Sequence, residues 1–379
     1  MMEIQEKRVL DTFLRLVKIR CSSHDEREVA DLLTEELEKL GAVVHEDNAG
    51  EKLGGNTGNL VADFPASAGK EQALRIMLTA HMDCVEPCAD VHPVRENGYI
   101  RSDGTTILGG DDKAGVTAIL EALRVVKEKQ IEHGAIQVVF AVSEENGVHG
   151  SQNLDRTLLH SDMGFTFDTS GKPGGMSYKA PGKNQIHIHI EGKASHAGVA
   201  PEKGINAILA AGKLLATAPQ GRIDEETTCN VGKIIGGSAT NIVAESCDIY
   251  YESRSRDKAK LDAITKRICK HFENGAAETR CKITATVSPD YDPYTLDKAS
   301  DTVKVASAAA ESLGFPVSLN ESGGGSDANH YNEYGIPTAV MSCGEQNAHT
   351  KEECIEECDL YDSARLALAI IETAADWKR

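Results

Sequence analysis

Five separated stretches of this chain carry acids or imidazoles of the kind that hold metal ions or move protons in hydrolysis. His81 and Asp83 close an apolar run that begins at Arg75. Two residues apart on a strand means one shared face, so these two side chains can act together. Asp111 and Asp112 follow Gly109 and Gly110 directly before a helical pattern, and Glu144 and Glu145 end the apolar run 136–142. Asp168 ends the run 163–167, and His349 follows the run 338–342 after a short glycine-containing loop. In an open α/β sheet, the carboxyl ends of the strands line the ligand crevice. Singly, each residue reads as a turn, a helix cap or a hydrogen-bonded histidine, and Asp103 in Ser102-Asp103-Gly104 is read as a turn. Jointly they read otherwise, because burying several carboxylates together is prohibitively costly without cations. Something positive belongs among them.

The elements that must position these residues follow from periodicity. Residues 59–64 and 75–80 read as strands, the second nearly all apolar and so buried on both faces, and the short apolar runs 136–142 and 163–167 read as interior strands. Ser23-x-x-Glu26 reads as a capping box opening a helix with the stripe Val29, Leu32, Leu33, Leu37 and Leu40, stopped by Gly41. A second helix is predicted over 113–127. This alternation argues for an α/β sheet, parallel in its centre. From Lys179 the style changes. Ile186, Ile188 and Ile190 alternate with His187, His189 and Glu191, the signature of a strand with one wet face. A helix over 204–217, strands near 227–234 and 247–253, a helix over 258–273 and a strand over 281–288 complete a β-α-β-β-α-β order, as in a ferredoxin-like sandwich. After Pro293 a helix over 301–313, a strand over 338–342 and a helix over 360–377 resume the first style. The simplest architecture is one α/β domain (1–180 and 292–379) with a second domain (181–291) inserted into it.

Composition bounds the function. The chain has 379 residues, 40% hydrophobic and 26% charged, which describes a globular protein of about two domains. A formal charge of −19 disfavours nucleic acid and anionic lipid as partners. The charged N-terminal residues lack the apolar core of an export signal, and no apolar run approaches the ~20 residues of a membrane helix. The expected location is therefore the cytoplasm, and the 10 cysteines are expected to be thiols. Gly323-Gly324-Gly325-Ser326-Asp327 lacks the Gly-Lys-Ser/Thr of a phosphate loop, which argues against a nucleotide. Close backbone approach to a substrate is its alternative use.

As an ordered set, TAHMD, GTTILGGDDKAG, SEENGVHGS, FDTSG and the late His349 resemble the two-zinc exopeptidases, the family of peptidase T, carboxypeptidase G, the aminoacylases and the carnosine dipeptidases. The resemblance covers essentially the whole chain, and the GTTILGGDDKAG form looks most like the peptidase T branch. It implies a zinc-exopeptidase-like catalytic domain with a mostly parallel mixed sheet, and an inserted ferredoxin-like α+β lid or dimerisation domain. It also implies two divalent ions, Zn²⁺ by donor type, with Mn²⁺ or Co²⁺ as alternatives. Asp111 would bridge them, His81 and Asp168 completing one shell, Glu145 and His349 the other. Asp83 would orient His81, Asp112 would be a bystander, and Glu144 would be the general base for a water held between the ions. His196 in Ser195-His196-Ala197-Gly198 would stabilise the oxyanion, with Asn241, Arg254, Gly324 and Gly325 on the substrate. Among relatives, aspartate at the position of Asp168 goes with aminopeptidases and dipeptidases, and glutamate with carboxypeptidases and deacylases. The expected activity is therefore removal of residues from short peptides with a free amino end, by a homodimer joined through the inserted domain. An N-acyl-amino-acid amidohydrolase or carboxypeptidase is the alternative within the family. A catalytically silent peptide- or metal-binding homologue is the alternative outside catalysis, though all five ligands and Glu144 are present.

Overall fold

Four apolar segments lie side by side and parallel in the middle of one sheet. In a computed structural model, which describes residues 3–378, the strands Ile136–Ala141, Ile76–His81, Met163–Thr169 and Thr338–Ser342 are consecutive neighbours in one sheet. All residues of Ile76–His81 and Ile136–Ala141 are buried, as near-continuous apolar runs require. Antiparallel strands extend this core on both sides, Leu60–Phe64 and Val43–Glu46 on one flank and Gly175–Ala180 on the other. The helix Gly110–Lys129 packs on Ile76–His81 and Met163–Thr169 and against the C-terminal helix Glu357–Ala375. Gly115 makes that approach possible, since a Cβ there would meet the Phe167 carbonyl oxygen at 2.2 Å.

The chain divides into two compact units. One comprises the chain up to Lys179, Thr295–Ser322 and the chain from Ser326 onward; the other comprises Ala180–Tyr294 with Gly323–Gly325. In the second unit Thr227–Gly236, Ser246–Ser255, Gly182–Glu191 and Lys282–Tyr291 form an antiparallel sheet in that order, edged by Gly221–Arg222. Ile186, Ile188, Ile190 and Ile249 of the sheet share one core with Ala210 and Leu214 of the helix Ala207–Leu215 and with Ile268 and Phe272 of the helix Lys258–Thr279. Each such side chain contributes roughly 1.5–3 kcal/mol by leaving water. The α/β fold with a smaller antiparallel unit is the one read from the pattern, and helix ends shift by up to six residues.

Two readings are corrected. Ser23 and Glu26 do not form a capping box: the helix Arg27–Leu40 has no side-chain cap bond, and Ser23 Oγ donates instead to Asp83 Oδ2 at 2.6 Å. Glu26, fully buried, accepts from the backbone N–H of Ser143 at 3.0 Å and of His24 at 3.1 Å. A stronger demand from the sheet rim has taken both side chains. The second correction is a small sheet of Val94–Glu96, Tyr99–Arg101, Cys354–Glu356 and Glu345–Gln346, whose two- and three-residue strands are too short for periodicity to reveal. All ten cysteines are thiols.

Candidate metal centre

Each of the four parallel strands ends at the same rim, and each delivers a polar group there. His81 is the last residue of its strand, 1% exposed, and its Nε2 lies 3.0 Å from Asp111 Oδ1 and 3.9 Å from Asp168 Oδ1. Its Nδ1 lies 3.0 Å from the Asp83 carbonyl oxygen and 3.5 Å from Asp83 Oδ1. A proton on Nδ1 leaves the Nε2 lone pair aimed at the carboxylates. On the other side of Asp111, His349 Nε2 lies 3.2 Å from Oδ2 and 2.9 Å from Glu145 Oε2. Asp111 therefore turns one oxygen to each of two trios, His81–Asp111–Asp168 and Asp111–Glu145–His349, each with ligand atoms within 4.8 Å of one another.

The electrostatics record a deficit of positive charge. Burial, reinforced by the charges of Glu144 and Asp111, pushes the Asp168 carboxyl well above its ordinary range. Burial also raises Glu145, against the hydrogen bond from His349. His349 is pushed up to about 10 by its bonds to Asp111 and Glu145. Acids that resist ionising and an imidazole that retains its proton are two responses to the same crowding of negative charge. Glu145 Oε1 is moreover buried without a hydrogen-bond partner. Two divalent cations answer both facts, and a mixed imidazole and carboxylate donor set suits zinc, with Mn²⁺ and Co²⁺ able to use it as well.

A model of Peptidase family M20/M25/M40 matches residues 77–373. The chain belongs to this family. It is 41% identical over 372 residues to the Bacillus subtilis protein YqjE, covering 98% of this chain and all of that one. Among solved structures it is similar to an aminopeptidase PepT from Bacillus cereus, with 40% identity, TM-score 0.88 and 98% and 100% of the two chains covered. It is similar also to a tripeptidase from Staphylococcus aureus, with 38% identity, TM-score 0.92 and 99% and 100% covered. In an M20 peptidase, two trios joined by a shared aspartate are the centre of a two-metal hydrolase, and this chain is a metal-dependent exopeptidase of that type.

What holds the M20 centre in shape was less visible in the sequence. Glu353, 1% exposed, accepts the backbone N–H groups of Leu108 at 2.9 Å, Gly109 at 2.8 Å and Asp111 at 2.9 Å, so one carboxylate fixes the loop that presents Asp111. No sequence signal marks it, since Lys351-Glu352-Glu353 reads as a solvated acidic turn. Asp112 stands outside both trios, as expected, and has a structural role of its own: its Oδ2 accepts the His81 N–H at 3.1 Å and its Oδ1 the Gly115 N–H at 3.0 Å. It joins the histidine's backbone to the start of the helix. The Asp83 carboxylate accepts the N–H groups of Glu144 at 3.0 Å and Glu145 at 3.2 Å, anchoring the turn that carries both acids. Lys113, fully buried, donates to the Met82 carbonyl at 2.5 Å and brings a permanent cation beneath the rim. Ser143 and His349 hold left-handed backbone, φ 49° and 64°, strain of the kind that collects at functional sites. Asp327 is buried as well, and burial pushes its carboxyl up to about 6. Asp103 is the expected turn, accepting from Thr105 N at 2.9 Å.

The remaining predicted residues lie in the second unit. His196 is exposed, pairs with Ile242 in an antiparallel bridge, and accepts the Gly198 N–H on Nδ1 at 3.1 Å. Beside that bridge, the Ala197 N–H donates to the Asn241 carbonyl at 2.9 Å, so His196 and Asn241 sit on two zipped loops. Arg254 is held by Glu252 through two parallel bonds of 3.0 and 3.1 Å. At Gly325 a Cβ would meet the Tyr291 ring at 2.2 Å, so the close backbone approach there is to an aromatic side chain. Gly324 lies beside it in the same segment.

Proposed function

We propose that this M20 peptidase is an aminopeptidase that trims tripeptides and dipeptides from their free amino end. The observation that carries the reading is the sharing of Asp111 between two trios, one of them completed by Asp168. The B. cereus aminopeptidase and the S. aureus tripeptidase support the substrate class. His81, Asp111 and Asp168 would hold one ion, and Asp111, Glu145 and His349 the other. Ions bound there supply polarisation of the scissile carbonyl and an acidified water. Glu144 takes the proton of that water and returns it to the leaving amine. Its carboxyl is pushed well above the ordinary range by burial, against the charge of His81 and with those of Asp327, Glu145 and Asp83 adding to the rise, the direction a proton carrier requires. Asp83 positions both acids by accepting the backbone N–H groups of Glu144 and Glu145. His196 is the proposed oxyanion donor, and Asn241, Arg254, Gly324 and Gly325 the proposed substrate contacts. A cytoplasmic location and a homodimer joined through the inserted unit belong to the same reading. Among the described residues no helix is long and apolar enough to cross a membrane.

The test is hydrolysis of Ala-Ala, Ala-Ala-Ala and N-acetyl-alanine by zinc- or manganese-loaded protein. Cleavage of the free-amine peptides alone is expected. Glu144→Gln is expected to keep two metals and lose roughly 10²–10⁴-fold in kcat. Release of acetate from N-acetyl-alanine in preference to peptide cleavage would overturn the substrate class, and full activity in Glu144→Gln would overturn the base.

A further inference from the structure

The wet face of the second unit's sheet carries a cluster that peptide hydrolysis does not use. His187 and His189 project from one face of the Gly182–Glu191 strand, and Asp248 stands directly opposite His189 on the neighbouring strand. His187 Nε2 lies 2.7 Å from Asp248 Oδ1, and His189 Nδ1 lies 2.8 Å from the same oxygen. Both imidazoles thus converge on one atom, with all three ligand atoms within 4.8 Å of one another. We propose that His187, His189 and Asp248 form a third divalent-metal site of the zinc class, separate from the Asp111 centre, with water completing the coordination.

Five observations support this. The ligands are two imidazoles and a carboxylate, the mixed set that zinc accepts at metal–ligand distances of about 2.0–2.2 Å. A tetrahedral ion at those distances separates its ligand atoms by about 3.3 Å. The two nitrogen–oxygen separations, 2.7 and 2.8 Å, therefore need to open by roughly half an ångström or a little more. The side chains are 41%, 43% and 28% exposed, so an ion can enter and keep water on its open side. The orientation is fixed beforehand: the His187 ring stacks on Tyr250 at 4.9 Å and 11°, and the strand pleat holds His187 and His189 on one face. The hydrogen bonds from His189 and His187 also hold the Asp248 carboxyl below its ordinary range, which favours the anion, and an ion would take the place of the two ring protons it accepts, these passing to the opposite ring nitrogens or to solvent. The Lys233 ammonium also packs on the Tyr250 ring, 5.4 Å from its centroid. A chain of net charge −19 favours cations in general, which makes a specific readout necessary.

The experiment is equilibrium dialysis of the full-length protein against zinc, followed by metal analysis, with ¹H–¹⁵N spectra of the histidine rings recorded alongside. Three zinc ions per chain are expected for the native sequence. The double variant His187→Gln/His189→Gln should bind two, with unchanged peptidase activity. Asp111→Asn should still bind one zinc, and that ion should shift the His187 and His189 ring signals. Equal stoichiometry in the native and double-variant proteins, or ring signals that stay fixed through the zinc titration, would overturn the proposal.

Discussion

Two clusters in this molecule use the same vocabulary of imidazole and carboxylate and obey different physics. The Asp111 centre gathers His81, Glu145, Asp168 and His349 from distant parts of the chain onto a buried rim, and its acids and imidazoles are displaced far from their ordinary protonation. The His187–His189–Asp248 cluster comes from two adjacent strands on an exposed face, where water screens its charges. The difference teaches where a cation is required and where it is merely accommodated. A buried set of carboxylates must be neutralised by protons or by cations, so this centre calls for counter-charge. An exposed His–Asp set rests on its own hydrogen bonds and gains an ion only when one is offered.

The strongest way to break the comparison is Asp111→Asn. It removes the one side chain shared by both trios, so zinc affinity at this centre should fall by more than the roughly 10–100-fold that outlying partners command. Peptidase activity should fall with it, as read by metal analysis and steady-state rates. Next is Glu353→Ala, which touches no ligand atom yet leaves the N–H groups of Leu108, Gly109 and Asp111 buried and unpaired. Zinc binding at the Asp111 centre should weaken roughly 10–100-fold, and the melting temperature should drop, since each orphaned donor costs about 1–3 kcal/mol. A Glu353→Ala protein with native zinc affinity would show that the loop is rigid without its carboxylate. The smallest effect sharpens the contrast. Asp103→Ala removes an acid that reads as a turn in the sequence and is an exposed turn in the structure. Metal content and activity should be unchanged, and stability should move by about half a kcal/mol in chemical denaturation.

Legibility in the sequence followed the range of the interaction. The wet face carrying His187 and His189 could be read because its period of two is written in consecutive residues. The buried strands ending at His81, Glu145 and Asp168 could be read because full burial demands unbroken apolar runs. Ser23 and Glu26 misled for the same reason: their spacing is that of a local cap, while their partners, Asp83 and Ser143, lie 60 and 117 residues away. Glu353 gave no signal at all, being held in place by strands of two and three residues.

The sequence by itself determined that the chain has an α/β core with a smaller α+β insertion, that acids and imidazoles stand at strand ends, and that they need cations. These properties are local in pattern or additive in charge. Only the tertiary structure decided the order of those strands, which Asp111 oxygen faces which trio, and that Asp112 and Glu353 bind the backbone that carries the ligands. Strand order and hydrogen-bond partnership are set by which distant surfaces exclude water together and which buried donors find acceptors, and neither is encoded in the spacing of neighbouring residues.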